Sequence, residues 1–181
     1  SEAITYLAGL GFREIYTNSL LPPPIAETVA TLLDPEGEHI QTFNANTHHM
    51  SALRPSLLPG VFRVAAHNRN HGQKVIRLAE FGHVFHRGKM ERESRPSWID
   101  GYVEREAMAM AVAGPAISGS WDREESLSDL FDLKGMFRSL LSYLDVGGIT
   151  VVPSKAPHPA LRTALDVTLD GEVIGVAGQV S

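Results

Sequence analysis

An Asp-Gly dipeptide near the end of the chain separates two runs of alternating apolar and polar residues, and no other feature restricts the fold as strongly. The segment reads TALDVTLDGEVIGVAGQV from Thr163 to Val180, with Asp170-Gly171 at its centre. Alternation with a period of two is typical of strands that bury one face, and Asp-Gly favours the two-residue turn of a hairpin. The sequence therefore predicts an antiparallel hairpin here.

A long amphipathic helix is predicted from Ser56 to His71. Ser56 is a candidate N-cap, and Pro59 falls in the first turn, where its missing N–H would have no partner within the helix. Gly72 is a candidate for the residue that stops the helix. One face of this helix consists of Leu57, Leu58, Val61, Val64, Ala65 and Asn68.

A second helix is predicted to begin after Ser128 or Asp129 and to end at Gly147-Gly148, because the apolar residues between them recur at helical spacing. Shorter patterns predict a helix stopped by Gly11, a strand in REIYTNSL and a rigid break at LPPP, while IAETVATLL fits either a helix or a strand. Four further strands are expected: one near Ile40 to Phe43, two short ones that pivot near Gly82, and one at Ile149 to Val152.

The run EAMAMAVAG, which begins at Glu106, has the length of a strand and would be buried on both faces. The strands cluster, and the helices flank them rather than alternating with single strands. This order favours an α+β fold with a mostly antiparallel sheet.

The composition limits the classes of protein that remain. The 181 residues fit a single domain covering 1–181, and the absence of cysteine excludes disulfides, thiolate zinc sites and cysteine nucleophiles. The absence of cysteine also fits a location in the reducing cytoplasm. No apolar run is long enough to cross a bilayer, and the net charge of -5 argues against broad binding to nucleic acid. Because the chain begins with serine rather than methionine, we expect it to be a piece of a longer protein.

Several residues suggest chemistry that the rest of the pattern does not support. His67 and His71 have the spacing of the two zinc ligands in HExxH, but the segment HNRNH lacks the glutamate, so solvent-facing histidines are the favoured interpretation. The glycines of GEVIGVAGQ lie on a hairpin arm rather than before a helix, which argues against a phosphate loop.

The locally basic run from Arg63 to Arg87 also has two interpretations. Its members are Arg63, Arg69, Lys74, Arg77 and Arg87. A solvated face is favoured, and a contact to phosphate or to an acidic partner is the alternative. Trp98 and Trp121 lie in charged loops, either as contact residues or as anchors that pack back on the sheet.

Four stretches together carry a resemblance to a known family. In chain order they are GFREIYTNSL, then LRPSLLPGVFRVAAHNRNHG with VIRLAEFGHVF, then LFDLKGMFRSLL, and last HPALRTALDVTLDGEVIGVAGQV. In their order and approximate spacing the chain resembles the beta subunit of phenylalanyl-tRNA synthetase. The resemblance implies the catalytic-like module of that subunit, with the class II synthetase fold and without catalytic residues of its own.

The resemblance assigns roles to two segments. It places Ser56–His71 in the motif 1 region, which usually builds a subunit interface, so we expect Leu57, Leu58, Val61, Val64 and Ala65 to contribute to one. It places EFGHVFHRG in motif 2, where active enzymes carry an arginine directly after VF to hold ATP. This chain has His86 there, and Arg87 is displaced by one residue, which turns its side chain to the opposite face of a strand.

The resemblance also implies the surroundings of the module. The chain stops before the expected strand and helix of motif 3, so it is expected to be a fragment of the beta subunit. ATP and magnesium would be cofactors of the whole synthetase and not of this chain. The partners of this chain would be an alpha subunit, in a heterotetramer, and tRNA through the complex. In isolation we expect a weak homodimer. The alternatives are a free-standing paralogue that binds a nucleotide or small molecule in the old cleft and a histidine-based metal hydrolase.

Overall fold

The computed structural model describes residues 2–33, 38–43, 49–87, 101–117, 121–122, 124–155 and 161–180. Within these ranges the helices are α1 (Glu2–Gly9), α2 (Pro23–Leu33), α3 (Leu58–Asn70) and α4 (Leu130–Tyr143). The strands are β1 (Arg13–Glu14), β2 (Leu20–Leu21), β3 (Ala52–Leu53), β4 (Ile76–Arg87), β5 (Tyr102–Ala113), β6 (Pro115–Ile117), β7 (Ser126–Leu127), β8 (Ile149–Pro153), β9 (Leu161–Leu169) and β10 (Glu172–Val180). No described helix combines the length and the apolar character that a bilayer crossing requires.

The strands form antiparallel sheets flanked by helices, as the sequence predicted. One sheet has the order β1-β4-β5 and another the order β10-β9-β8, while β2 pairs with β3 and β6 with β7. The pairs β9–β10, β8–β9, β2–β3 and β6–β7 are all antiparallel. The α+β prediction is therefore confirmed.

The predicted hairpin is confirmed as β9–β10. Leu169 pairs with Glu172, so Asp170 and Gly171 form the two-residue turn, with φ of 50° and 88°. Positive φ at both central positions is what this turn requires, and aspartate and glycine tolerate it better than most residues.

The end of α3 explains why the helix stops where the sequence predicted. Gly72 has a φ of 83°, its N–H donates to the Arg69 carbonyl, and the Gln73 N–H donates to the Asn68 carbonyl. This pair of bonds is the Schellman motif, which satisfies the last carbonyls of a helix. At the other end, the Leu58 N–H donates to the Ser56 hydroxyl at 3.2 Å, so Ser56 caps from two residues before the helix.

The second helix, α4, has the predicted N-cap but not the predicted end. Asp129 accepts the N–H groups of Phe131 and Asp132, and the Asp132 side chain accepts the Asp129 N–H, forming a capping box. The helix ends at Tyr143, and Asp145, with a φ of 52°, takes the left-handed position expected for Gly147-Gly148. The prediction of a glycine stop is therefore wrong by two residues, because aspartate also tolerates this conformation.

Several strand predictions are corrected. Ile76 to Arg87 is one continuous strand rather than two that pivot near Gly82, and Ile40 to Phe43 contributes only an isolated bridge at Gln41. The ambiguous segment before Leu33 is helical and begins at Pro23. In β5 only Ala109 is buried, so this strand is not buried on both faces within the chain. Of the two charged segments that carry the tryptophans and were expected to be loops, 115–128 contains β6 and β7, whereas 88–101 lies outside the described residues except for Gly101.

By their contacts the residues fall into two compact units, and the single domain expected over 1–181 stays a prediction. The first comprises Ser1–Glu14, Asn68–Leu78 and Ala111–Ser181, and the second comprises Ile15–His67 and Ala79–Met110. In the first unit the core includes Leu7, Phe12, Ile76, Leu78 and Leu140, and Tyr6 stacks on Tyr143 with ring centroids 4.3 Å apart. The second unit has a core that includes Leu21, Ala26, Ala52, Leu57, Val61 and Val84.

Candidate functional site

Strand β4 carries the residues that the resemblance assigned to motif 2, and the alternation of the strand decides which of their side chains face inward. Glu80 and Val84 are buried, and His86, which shares their face because of the two-residue period, is half-buried. Arg87 is on the opposite face and is exposed. The expected flip between positions 86 and 87 is therefore present in the structure.

His86 is held in its neutral form. Burial lowers the pKa of the His86 imidazole, and the positive charge of Arg105 lowers this pKa further. Both causes disfavour the protonated ring. At neutral pH the inward position thus presents an uncharged imidazole, which can exchange a hydrogen bond but supplies no fixed positive charge.

Arg87 is already engaged with other residues. Its Nη1 donates to Oε2 of Glu38, and both side chains are more than half exposed. The hydrogen bond and the charge of Glu38 raise the pKa of Arg87, with a further contribution from a hydrogen bond to Tyr102. This guanidinium therefore cannot replace the missing arginine at position 86 without leaving its partners and crossing to the other face of the strand.

A buried ion pair lies on the inward face of the same strand. Arg54, 4% exposed, donates from Nη1 to Oε1 of Glu80, 1% exposed, at 2.7 Å. Glu80 also accepts the Thr17 N–H at 3.1 Å, and the Thr17 hydroxyl lies 2.9 Å from both carboxylate oxygens. We call Thr17, Arg54 and Glu80 the buried cluster.

The arginine of the buried cluster is bonded through two nitrogens of its head group, Nη1 and Nε. Its Nη1 donates to the carbonyl oxygen of Thr17 at 3.2 Å and to the Thr17 hydroxyl at 3.0 Å, and its Nε donates to the His83 carbonyl at 2.9 Å. The Arg54 backbone is also bonded, since its N–H donates to Ser19 and its carbonyl accepts from Phe85. Side chains this buried, which already bond one another, belong to the core and are not available to a substrate.

Two glycines make room for the buried cluster. A Cβ at Gly82 would lie 2.5 Å from Nη2 of Arg54, and a Cβ at Gly60 would lie 2.2 Å from the Thr17 hydroxyl. Real Cβ atoms do not approach other atoms this closely, so each glycine is required by its neighbour. Gly82, which the sequence suggested as a pivot, is instead the space into which a guanidinium packs.

The predicted interface residues on α3 divide into two groups. Leu57 is 2% exposed and Val61 is 0% exposed, so both belong to the core of this chain and cannot also form a surface for a partner. Leu58, Val64 and Ala65 are half-buried. The interface assignment is therefore corrected for the first two and stays a prediction for the other three.

Of the candidate metal-ligating histidines and the tryptophans in the sequence analysis, the structure describes His67, His71 and Trp121. His67 and His71 are both exposed, and among the described residues no group of three or more side chains is placed to hold a metal ion. Trp121 is 98% exposed, so it is not an anchor that packs back on the sheet, and Trp98 lies outside the described residues.

Sequence reasoning missed the buried cluster, although the sequence contained a signal for it. Glu80 shares its strand face with Ile76 and Leu78, so an inward strand face carries a carboxylate. A charge that is buried this way needs a partner of opposite charge. That requirement would have directed attention to Arg54, a basic residue in the segment just before the helix.

Comparison with known proteins gives consistent matches along the chain. A family model described as the phenylalanyl tRNA synthetase beta chain CLM domain matches residues 2–181. The phenylalanine–tRNA ligase beta subunit of Salinibacter ruber is 39% identical over 188 residues, which cover 99% of this chain and 22% of that protein. The corresponding subunit of Chlorobium chlorochromatii is 33% identical over 152 residues, which cover 83% of this chain and 18% of that protein. The chain thus spans a minor part of the length of these relatives.

Solved structures give the fold independently of the sequence. Two structures of the pyrrolysyl-tRNA synthetase of Desulfitobacterium hafniense match with TM-scores of 0.63 and 0.59, each at 16% identity. They cover 97% and 92% of this chain, and the chain covers 53% and 52% of theirs. Identity this low shows the fold alone, and the expected class II synthetase fold is confirmed.

Proposed function

Because the chain belongs to the family of the phenylalanyl tRNA synthetase beta chain CLM domain, we propose that it is a non-catalytic structural and assembly module of a phenylalanine–tRNA ligase beta subunit. In this proposal the whole enzyme joins phenylalanine to its tRNA at the expense of ATP. The module contributes a stable class II scaffold, and the chemistry takes place on the alpha subunit.

The observation that carries this proposal is the inward position after VF on β4. Where active class II enzymes hold ATP with an arginine, this chain has a half-buried His86 whose lowered pKa keeps it neutral. An imidazole lacks the permanent charge and the two-pronged donor geometry with which a guanidinium holds phosphate oxygens. The neighbouring guanidinium, Arg87, faces the other way and is paired with Glu38.

ATP and magnesium are proposed for the whole synthetase, and the residues of this chain do not fit them at motif 2. The described part of β4 and β5 offers no free guanidinium on the face of His86 apart from Arg105, whose charge acts on the imidazole. No cluster of three or more carboxylate or histidine side chains in the described ranges is placed to hold a metal ion. We therefore derive no catalytic step through either group in this chain.

The proposed partners follow from the same function. We propose an alpha subunit, in a heterotetramer, as the direct partner, and tRNA as a ligand of the complete complex. Leu58, Val64 and Ala65 on α3 are the remaining candidates for the contact with the alpha subunit, because their half-buried side chains leave apolar area available. The absence of cysteine supports a proposed cytoplasmic location.

Phenylalanine-dependent exchange of pyrophosphate into ATP tests whether the module is non-catalytic. We expect the chain alone to exchange no more label than the heat-denatured chain, and an alpha–beta complex to exchange label readily. Exchange by the chain alone above that control would overturn the proposal.

A matched pair of substitutions tests the assembly role. Ala65 is half-buried on α3, and its neighbour Ala66 is exposed. We expect Ala65→Arg to weaken binding to the alpha subunit by at least about tenfold, or 1.4 kcal/mol, and Ala66→Arg to change it by less than about twofold. Circular dichroism of both variants separates a lost contact from a lost fold. Equal effects of two folded variants would contradict the proposed surface.

A further inference from the structure

A pocket in the first unit is lined by positive charge. It has a volume of about 350 Å³ and lies beside the turn after α1, the end of α3 and the start of β4. Gly11, Arg13, Asn68, Gln73, Lys74 and Arg77 contribute polar or backbone groups to its wall. The volume is at the lower end of the range for pockets that bind small ligands.

The described part of the chain places no acidic partner against the positive charges of this pocket. Arg13, Lys74 and Arg77 line it, and no lining residue is acidic. Among the described residues none of these three side chains takes part in an ion pair. Like charges that share a concave surface repel each other, and an anion between them removes that cost. The arrangement is notable in a chain with a net charge of -5.

Arg77 shows an incomplete set of hydrogen bonds. Its Nη1 donates to the Leu10 carbonyl at 2.7 Å, which fixes the head group beside the turn, while its Nε is buried and meets no acceptor in the described part of the chain. Gly11 lies beside this head group and takes a φ of 84°, a turn conformation that favours glycine. A buried donor without an acceptor costs about 1–3 kcal/mol, so the guanidinium gains from a ligand that supplies one.

The walls of the pocket are held in place independently of any ligand. The Schellman bonds at the end of α3 fix Asn68 and Gln73 relative to each other. The segment that carries Lys74 is held against Gly114, since a Cβ at that glycine would lie 1.8 Å from the Lys74 carbonyl oxygen. The cations are therefore presented on a firm backbone, which lowers the cost of ordering them when a ligand binds.

We propose that this pocket is a binding subsite for a phosphate group. A phosphate monoester carries a charge of about -1.5 to -2 and three strong acceptor oxygens, which match several clustered cations better than the single charge of a carboxylate. Arg77 supplies a planar guanidinium whose Nε–H has no acceptor in the described part of the chain. At the rim, Lys74 supplies a compact ammonium charge and Arg13 a second guanidinium. The subsite goes beyond the proposed function and does not depend on it, because it uses neither His86 nor Arg87 and none of the proposed contact residues Leu58, Val64 and Ala65.

Calorimetric titration of the chain with pyrophosphate at low salt tests the subsite. We expect saturable binding that Lys74→Gln and Arg13→Gln each weaken by about three- to tenfold. Arg69→Gln and Arg162→Gln are the matched controls, because both arginines are exposed in the same unit and neither lines the pocket. We expect each control to change the dissociation constant by less than about twofold.

A second readout follows Arg77 itself. Since its Nε–H meets no acceptor in the described part of the chain, we expect the Nε–H nuclear magnetic resonance signal of Arg77 to shift when pyrophosphate is added, and the midpoint of this shift to move to about three- to tenfold higher pyrophosphate in Lys74→Gln. Arg77→Lys keeps the charge and removes the fork, so it should weaken binding while circular dichroism shows an intact fold.

Two ligands distinguish the sources of the phosphate. Pyrophosphate binding without binding of a short single-stranded RNA supports a small phosphate compound, and RNA binding with the same sensitivity to Lys74→Gln supports a backbone phosphate. Absence of saturable binding to both would overturn the subsite. Equal weakening by pocket and control variants would overturn it as well, because it would reveal attraction to the general basic surface.

Discussion

Replacing Arg54 by methionine should destabilise the domain by about 3–5 kcal/mol, because it leaves the Glu80 carboxylate buried without its cation. The size of this loss follows from the burial and the remaining hydrogen bonds of Glu80. Glu80 is 1% exposed, and within the part of the chain that the structure describes only the Thr17 N–H and hydroxyl would remain as donors to it, at 3.1 and 2.9 Å. The carbonyls of Thr17 and His83 would lose a donor as well.

Urea unfolding followed by circular dichroism measures this loss. A domain of ordinary stability has about 5–15 kcal/mol in total, so the predicted loss is a large fraction of it and shifts the midpoint visibly. Arg63→Met is the matched control, since Arg63 is an exposed arginine of α3 in the same unit. It should change the free energy of unfolding by less than about 0.5 kcal/mol.

A double-mutant cycle separates the ion pair from the loss of packing. Arg54→Met combined with Glu80→Met should destabilise by less than the sum of the two single changes, with a coupling of about 1–3 kcal/mol, because no unpaired charge then remains buried. The reasoning is refuted if Arg54→Met costs less than about 1 kcal/mol or if the two changes are additive within about 0.5 kcal/mol.

Three further predictions concern other parts of the chain. Val61→Asp should unfold the domain rather than alter its assembly, because Val61 is 0% exposed, whereas Arg63→Asp should leave the domain folded. Light scattering with circular dichroism checks both variants, and a folded Val61→Asp variant would contradict the burial of Val61. Asp129→Ala should lower the free energy of unfolding by about 1–2 kcal/mol through loss of the N-cap, with the exposed Glu124→Ala as a control that changes it little. Because the pKa of His86 is lower in the folded chain than in the unfolded chain, the unfolded chain binds the proton more tightly, so stability should fall as the pH drops below about 6.5. His86→Asn should reduce that slope in unfolding experiments, and an unchanged slope would show that other groups cause it.

Features set by neighbouring residues were predictable from the sequence. The hairpin turn at Asp170-Gly171 and the stop of α3 at Gly72 each depend on a left-handed conformation that few residue types accept. The N-cap at Asp129 depends on a side chain that reaches backbone groups two and three residues away. In each case the signal and the structure that it determines lie within one turn of chain.

Features set by distant residues were not predictable in the same way. Gly82 indicated a pivot because glycine usually marks a bend in a strand, but its role depends on Arg54, which comes from another part of the chain. The apolar stripe of α3 suggested a surface for a partner. The structure shows instead that Leu57 and Val61 are buried in the core of this chain. A pattern on a helix gives the face that is covered, but not what covers it.

The two inward polar positions of strand β4, Glu80 and His86, differ in how a neighbouring arginine affects them. This difference bears on the proposed absence of catalysis. Glu80 is almost completely buried and has a cation as its partner, because Nη1 of Arg54 lies 2.7 Å from its Oε1. At His86 burial lowers the pKa of the imidazole, and the charge of Arg105, which has the same sign as a protonated imidazole, lowers this pKa further. An arginine at position 86 would place two permanent cations together, and that arrangement is favourable only while an anion such as a triphosphate neutralises both. A scaffold that no longer binds such an anion is more stable with a neutral side chain there, so the histidine fits a module that retains its fold and has given up the ATP clamp.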